Sequence, residues 1–135
     1  MDAENTRLEP GLTGGVSLIV KKEHTAKSMG SGQREVLATP ALVALMEAAA
    51  EKAVEEKFDK NQQTVGVRID LTHDKATPVG MKVNANAKLL SINGRMLTFE
   101  ITAFDEKEDI ASGTHIRALA TVEALDRLLQ KKSKK

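Results

Sequence analysis

The stretch TPALVALMEAAAEKAVEEKF, residues 39–58, decides the fold of this chain. Its composition favours a helix, because Ala, Leu, Met, Glu and Lys all have high helix propensity. The opening pair Thr39-Pro40 is typical of a helix start, since Thr is a good N-cap and Pro is favoured at the first helical position. From Ala41 to Ala50 the predicted helix is apolar on most of its circumference, so other parts of the chain must cover it on nearly all sides.

The chain beyond this helix supplies the cover, because the period of its apolar residues changes from 3.6 to 2. Strands are predicted around residues 65–72, 81–89, 97–103 and 110–122, and one more precedes the helix at residues 11–20. The pair Asn93-Gly94 predicts a tight hairpin. One long helix wrapped by a curved antiparallel sheet is an α+β arrangement, the hotdog architecture, and its sheet edge predicts a homodimer or a higher homo-oligomer.

The same pattern sets the expected boundaries. Residues 1–10 are predicted to form a flexible leader, residues 11–124 a single domain, and residues 125–135 a basic C-terminal tail. A short helix is predicted from Glu123, around Leu125, Leu128 and Leu129. Residues 21–33 contain few apolar groups and several Gly and Ser, so they are predicted to form a mobile loop before the helix.

The composition excludes several classes of function. The chain has 135 residues, no Cys and a net charge of +1, so it can bury one core but has no disulfide framework and no cysteine nucleophile. The near-neutral charge and the absence of Trp and Tyr argue against a nucleic-acid partner. No apolar run approaches the ~20 residues that span a bilayer, so no membrane partner is expected. The absence of Cys fits a cytoplasmic location.

Three polar residues stand out against their surroundings. Glu47 is the one charged residue in the first half of the helix, so it either carries chemistry or faces solvent or a partner subunit. His73 is in phase with the apolar residues at 65, 67, 69 and 71, so it is expected to point toward the apolar side of its strand. There it is either a structural histidine or a group for proton transfer. Thr39 is explained by the helix cap alone, although a hydroxyl at a helix N-terminus also lies beside backbone amides that stabilise an oxyanion.

The other two histidines are predicted to matter less. His115 shares its strand phase with Arg117, opposite Ile116 and Ala118, so His115 and His24 are expected to face outward or to line an interface. The spacing of the three histidines does not support a zinc site, and no metal or other cofactor is expected.

Five short motifs carry a resemblance to a known family: TPALVALME at 39–47, TVG at 64–66, TH at 72–73, ATPVGM at 76–81 and SGTHIR at 112–117. In this order and spacing they resemble the hotdog-fold thioesterases similar to fluoroacetyl-CoA thioesterase. The resemblance extends from about residue 11 to residue 122, which is most of the chain.

This resemblance implies hydrolysis of an acyl-CoA thioester, with coenzyme A as part of the substrate, by a catalytic set of Thr39, Glu47 and His73. It also implies that the backbone of Gly66 lies near the acyl carbonyl and that Arg117 is a second substrate-binding residue, although the strand phase alone places Arg117 outside. His73 would be the general acid or base, Glu47 would orient His73 or activate water, and Thr39 would be the nucleophile or would position water.

Helix geometry limits how these groups can meet. Eight helical residues rise about 12 Å, so Thr39 and Glu47 cannot touch. His73 must then bridge them or come from the other subunit of a dimer.

One segment departs from the family. The fluoroacetate-specific enzyme carries aromatic lid residues before the helix, whereas residues 28–33 here, SMGSGQ, contain none. A short- or medium-chain acyl-CoA thioesterase without fluoroacetyl selectivity is therefore expected. The alternative is a non-catalytic acyl-CoA-binding or interaction module on the same fold.

Overall fold

A computed structural model describes residue 5 and residues 7–134 of the chain. The strands are β1 (Thr13–Ile19), β2 (Gln62–His73), β3 (Lys82–Asn93), β4 (Met96–Phe104) and β5 (Asp109–Thr121). The helices are α1 (Ala26–Met29), α2 (Thr39–Val54) and α3 (Val122–Ser133). The predicted α+β arrangement of one long helix and an antiparallel sheet is therefore confirmed.

All five strands belong to one antiparallel sheet in the order β1-β3-β4-β5-β2, which leaves β1 and β2 as edges. Helix α2 packs on one face of this sheet, chiefly against β1 and β3. The core lies between them, and its largest fully buried side chains include Leu42 and Met46 on the helix and Leu89, Phe99 and Ile101 on the strands. The apolar period of the sequence thus identifies the two surfaces that form the core.

The register of β2 against β5 contains an irregularity that sets the direction of the site residues. Gly66 pairs with Arg117 but Arg68 pairs with Ile116, so Val67 is an extra residue in β2. A bulge of this kind reverses the face on which the following residues lie. Because directly paired residues share a face, Gly66 and His73 both face α2, although they are an odd number of residues apart.

The bulge also corrects the predicted phase of β2. The prediction that His73 faces the apolar side with Ile69 and Leu71 is confirmed, because these residues follow the bulge. The same prediction is wrong for Val65 and Val67, which are 38% and 52% exposed. An extra residue in a strand leaves no trace in apolar alternation when the residues on either side of it are also apolar.

The prediction that His115 and Arg117 face outward is wrong. They pair with Phe99 and Leu97 on β4, whose side chains lie under α2, and they are only 1% and 6% exposed. The phase of β5 misleads because Ala118, on the opposite face, is also buried. When both faces of a strand are covered, apolar residues no longer mark the inner face.

Three further predicted segments contain regular structure or core contacts. The predicted mobile loop at 21–33 contains α1, and the backbone N–H of Ala26 donates to Val36 O at 2.8 Å. Within the predicted leader, Leu8 is buried in the core, while residues 1–4 and 6 lie outside the described part of the chain. The predicted short helix of the tail is α3, which extends to Ser133, and Thr121 caps it by accepting from the N–H of Ala124. No helix in the described part of the chain is both long and apolar enough to cross a bilayer.

The close contact of β1 with α2 depends on Gly14. A Cβ atom there would lie well inside van der Waals distance of the backbone N of Ala53 and the backbone O of Ala49. We expect Gly14→Ala to lower the free energy of unfolding by about 1–3 kcal/mol or more, because the helix backbone cannot move away without opening the core.

Denaturant unfolding of Gly14→Ala and of Gly15→Ala measures this effect. A Cβ at Gly15 would approach closely only the side-chain amide of Asn86, at 2.8 Å, which can rotate away, while the Ala85 backbone O lies at an ordinary contact distance of 3.7 Å. Equal losses of stability in the two variants would contradict the close approach of helix and strand.

Candidate active site

Thr39 and His73 meet at the start of α2 and the end of β2. The hydroxyl Oγ1 of Thr39 lies 2.8 Å from Nδ1 of His73. The predicted capping role of Thr39 is wrong, because the N-cap position belongs to Ala38 and Thr39 is the first residue of the helix. Its hydroxyl is therefore free of the helix and is available to the histidine.

His73 is held in a state suited to accepting a proton. Burial lowers the pKa of His73, and the backbone of Lys75 and the charge of Asp74 offset this only in part. Its Nε2 atom is buried and has no hydrogen-bond partner in the described part of the chain. A neutral imidazole next to a hydroxyl can act as a general base toward that hydroxyl or toward a water molecule bound beside it.

Glu47 lies in a second cluster, two turns further along α2. Its Oε2 atom is 3.4 Å from Nη1 of Arg117 and 4.0 Å from Nε2 of His115, and its side chain is 40% exposed. A Cβ atom on Gly66 would lie 2.7 Å from the same oxygen. Residue 66 must therefore lack a side chain for Glu47 to occupy this position.

Arg117 is surrounded by acceptors. Its Nε donates to Thr64 Oγ1 at 2.8 Å, and its Nη2 donates to Glu51 Oε1 at 2.8 Å and to Thr64 O at 3.2 Å. Its Nη1 lies 3.1 Å from His115 Nε2 and 3.4 Å from Glu47 Oε2. The hydroxyl of Thr64 in turn donates to Glu51 in a short hydrogen bond. The predicted substrate-binding role of Arg117 stays a prediction, since protein groups already meet its side chain.

The structure thus gathers the predicted residues into two groups. Thr39 and His73 form one, and Glu47, Gly66 and Arg117 form the other. The two groups lie about 12 Å apart along α2, by its rise per residue. Within one protomer His73 does not bridge Thr39 and Glu47.

Two cavities lie beside the start of α2. Thr39 and His73 line one of about 240 Å³. The other, about 440 Å³, is lined mainly by apolar residues, among them Met29, Ala44 and Leu45. Helix α1 contributes to both, with Ala26 in the first and Met29 in the second.

Sequence reasoning missed three members of the second group. His115 was placed outside, and neither Thr64 nor Glu51 was given a role. For Glu51 a signal exists, since it follows Glu47 by one helical turn on the same face. Thr64 and His115 lie in two of the motifs that carry the family resemblance. That they meet around Arg117 follows from the pairing of β2 with β5, which the sequence does not show.

Comparison with known proteins shows the family to which the chain belongs. Residues 20–123 match the sequence profile of the fluoroacetyl-CoA-specific thioesterase family. The chain is 36% identical over 99 residues to the fluoroacetyl-CoA thioesterase of Streptantibioticus cattleyicolor, a match that spans 73% of this chain and 71% of that protein.

Solved structures extend the match to the fold. A fluoroacetyl-CoA thioesterase variant in complex with acetyl-CoA superposes with a TM-score of 0.87 at 28% identity, covering 94% of this chain and 100% of that one. A hot-dog-like protein from Thermanaerovibrio acidaminovorans gives a TM-score of 0.87 at 17% identity, covering 96% of both chains. The predicted hotdog fold is confirmed, and the chain belongs to the fluoroacetyl-CoA-specific thioesterase family.

Proposed function

We propose that this protein is an acyl-CoA thioesterase that hydrolyses a short- or medium-chain acyl-CoA to the free acid and CoA. The observation that carries the proposal is the 2.8 Å contact between Thr39 Oγ1 and His73 Nδ1 in a cavity beside an apolar groove. The family assignment supports it, as does the solved acetyl-CoA complex of a structurally similar thioesterase. Nothing in the site favours the alternative of a non-catalytic binding module.

The proposed chemistry begins at the Thr39–His73 pair at the start of α2. His73 takes a proton from the Thr39 hydroxyl or from a water molecule positioned by it, and the resulting oxygen nucleophile adds to the thioester carbonyl carbon. The C–S bond then breaks, and the proton passes from His73 to the sulfur of CoA. If Thr39 is the nucleophile, water hydrolyses the acyl-Thr39 ester in a second step.

The start of α2 also supplies groups for the negative charge that develops on the carbonyl oxygen. The N–H groups of Thr39 and Ala41 belong to the first turn and have no acceptor within the helix. Pro40 between them has no N–H at all. Such amides stabilise an oxyanion, and the backbone of Gly66 is proposed as a second contact to the acyl carbonyl.

The larger of the two cavities, which is lined mainly by apolar residues, is the proposed site of the acyl chain. Its walls include Met29, Ala44 and Leu45, and its volume of about 440 Å³ suits a short or medium chain. The segment at residues 28–33 supplies no aromatic ring to this region.

His73→Ala tests the general base. We expect this variant to lose at least ~10²-fold in kcat, because proton transfer by a positioned side chain contributes 10²–10⁴-fold. The assay is CoA release from acetyl-CoA and longer acyl-CoAs. The control is Thr72→Ala, since Thr72 is exposed and its hydroxyl donates to the carboxylate of Asp74 at 3.2 Å. Wild-type turnover in His73→Ala would make His73 a structural residue.

The same base predicts a pH profile. A lowered pKa means that His73 stays neutral below the ordinary histidine value of about 6.5, so the acidic limb of kcat/KM should lie below that pH. The folded protein also resists protonation of His73 where the unfolded chain accepts it, so stability should fall as the pH drops through this window.

The substrate proposal is tested by comparing acetyl-CoA with fluoroacetyl-CoA. We expect the two kcat/KM values to lie within about tenfold, because no aromatic side chain in residues 28–33 is available to discriminate one small substituent. A preference of several orders of magnitude for the fluorinated substrate would contradict this and would mean that another segment selects it.

We further propose that the active protein is a cytoplasmic homodimer whose sites are shared between subunits. In one protomer Gly66 and His73 are seven residues apart on β2, about 20 Å, so Glu47 beside Gly66 cannot reach His73. Strand β2 is an edge strand of the sheet, and its own residues Val65 and Val67 are exposed. Antiparallel addition of a second β2, centred on Asp70 and skipping the extra residue Val67 in each strand, would place Gly66 of the partner subunit opposite His73.

Subunit complementation tests the shared site. Glu47→Gln and His73→Ala should each lose most of their turnover alone, whereas a heterodimer would combine an intact Glu47 with an intact His73 in one of its two sites. Random mixing should therefore restore about a quarter of wild-type turnover. A mixture that contains heterodimers but recovers nothing would contradict the shared site, and an active monomer in light scattering would contradict the dimer.

A further inference from the structure

Arg117 is immobilised to a degree that a pocket residue does not require. A guanidinium carries five N–H bonds, and each of the five polar contacts of Arg117 accounts for one of them. The side chain is also 7% exposed. Arg117 therefore has a fixed plane and a fixed direction, and a single N–H is directed at Glu47.

His115 determines where that N–H points. Its Nδ1 lies 2.8 Å from the backbone O of Arg68, which can only accept, so Nδ1 carries the proton. Its Nε2 faces Nη1 of Arg117 at 3.1 Å and must therefore be the unprotonated acceptor. Burial lowers the pKa of His115. The hydrogen bond to the Arg68 carbonyl opposes this, the charge of Arg117 lowers the pKa further, and the charge of Glu47 raises it by less, so the pKa stays below its ordinary value. The neutral imidazole thus takes one N–H of Nη1 and leaves the other for Glu47.

Glu51 determines how strongly Arg117 acts on Glu47. Arg117 lies 2.8 Å from Glu51 and 3.4 Å from Glu47, so the shorter ion pair is with Glu51. The hydroxyl of Thr64 holds the same oxygen of Glu51 that receives Arg117. Glu51 therefore holds the guanidinium charge of Arg117 close to itself, and Glu47 has only the longer contact of 3.4 Å with Arg117.

We propose that His115 and Glu51 are positioning residues, which hold Arg117 so that it orients Glu47 for catalysis without neutralising it. This inference rests on the proposed function, because it assigns the orientation of Glu47 a role in turnover. Without His115, Nη1 would turn and Glu47 would lose its fixed position. Without the charge of Glu51, Arg117 would move toward Glu47 and form the closer ion pair there.

Two substitutions of His115 separate a positioning role from a purely structural one. His115 also packs against Phe99, with ring centroids 6.3 Å apart, so its loss could simply loosen the core. His115→Phe keeps a ring in this position but removes the acceptor, whereas His115→Gln restores an acceptor near the place of Nε2.

We expect His115→Phe to lower kcat at least tenfold with KM changed less than threefold, and His115→Gln to recover most of the loss, since misplacing a reacting group by about 1 Å can lower the rate ~10²-fold. In a Glu47→Gln background, His115→Phe should cause no further loss of kcat, because the residue through which His115 acts is already removed. Losses that multiply in the double variant, or wild-type kcat in His115→Phe, would overturn the proposal for His115.

Glu51→Gln provides a second variant that should fold, since the Glu51 side chain is 42% exposed. Its matched control is Glu55→Gln, one turn further on, where the carboxylate pairs with Lys52 at 3.4 Å near the surface. We expect Glu51→Gln to lower kcat with KM changed less than threefold, and to cause no further loss of kcat in a Glu47→Gln background, while Glu55→Gln leaves kcat unchanged. Wild-type kcat in Glu51→Gln, or losses that multiply in the double variant, would overturn the role of Glu51.

A readout without substrate separates this inference from the proposed function. If the wild-type protein releases CoA from no acyl-CoA, the proposed function fails. Nitrogen NMR still tests whether the side chain of Arg117 is fixed by its five polar contacts. Its two Nη atoms should give separate resonances in wild type and a single averaged one in His115→Phe. A freely rotating guanidinium in the wild-type protein would overturn the proposal that His115 and Glu51 hold Arg117 in place.

Discussion

A regular strand cannot point residues 66 and 73 at the same helix, because they are seven positions apart and side chains alternate between faces. The bulge at Val67 removes this constraint. It lets β2 place Gly66 beside Glu47 and His73 beside Thr39 on one side of the sheet. Every proposed step of the chemistry depends on this extra residue, because without it one of the two groups would face away from α2.

The bulge also gives the second group its anchor. The carbonyl of Arg68, directly after Val67, accepts the N–H of His115. The strand irregularity and the orientation of Arg117 are therefore connected through one imidazole. A charged guanidinium inside a small domain is tolerated because two carboxylates on consecutive turns of α2 face it, and because its remaining N–H groups find neutral acceptors.

Much of the fold was accessible to sequence reasoning because its elements are long and strongly periodic. The start of α2 at Thr39 and the hairpin at Asn93-Gly94 both follow from local chemistry. Local chemistry did not reveal which side chains of β2 and β5 face the helix. In β2 an extra residue breaks the apolar alternation, and in β5 both faces are covered, so apolar residues no longer mark the inner face. Among the site residues, Glu47 and His73 stood out by breaking an apolar pattern, whereas Gly66 and Arg117 came only from the family resemblance. The contact of Arg117 with Glu47 joins residues 70 positions apart, and only the folded sheet brings them together.

The missing side-chain cap on α2 has a consequence for engineering. Ala38 occupies the position where Ser, Thr, Asp or Asn would ordinarily bond to the first amides of the helix. Ala38 is also buried, so a capping side chain here would have to fit into the core while it gained its hydrogen bond. The new hydroxyl or carboxylate would, in addition, occupy the amides proposed to bind the substrate oxygen. Alanine at residue 38 leaves these amides without a side-chain acceptor, so a stabilising cap designed at this position would compete with the proposed catalysis.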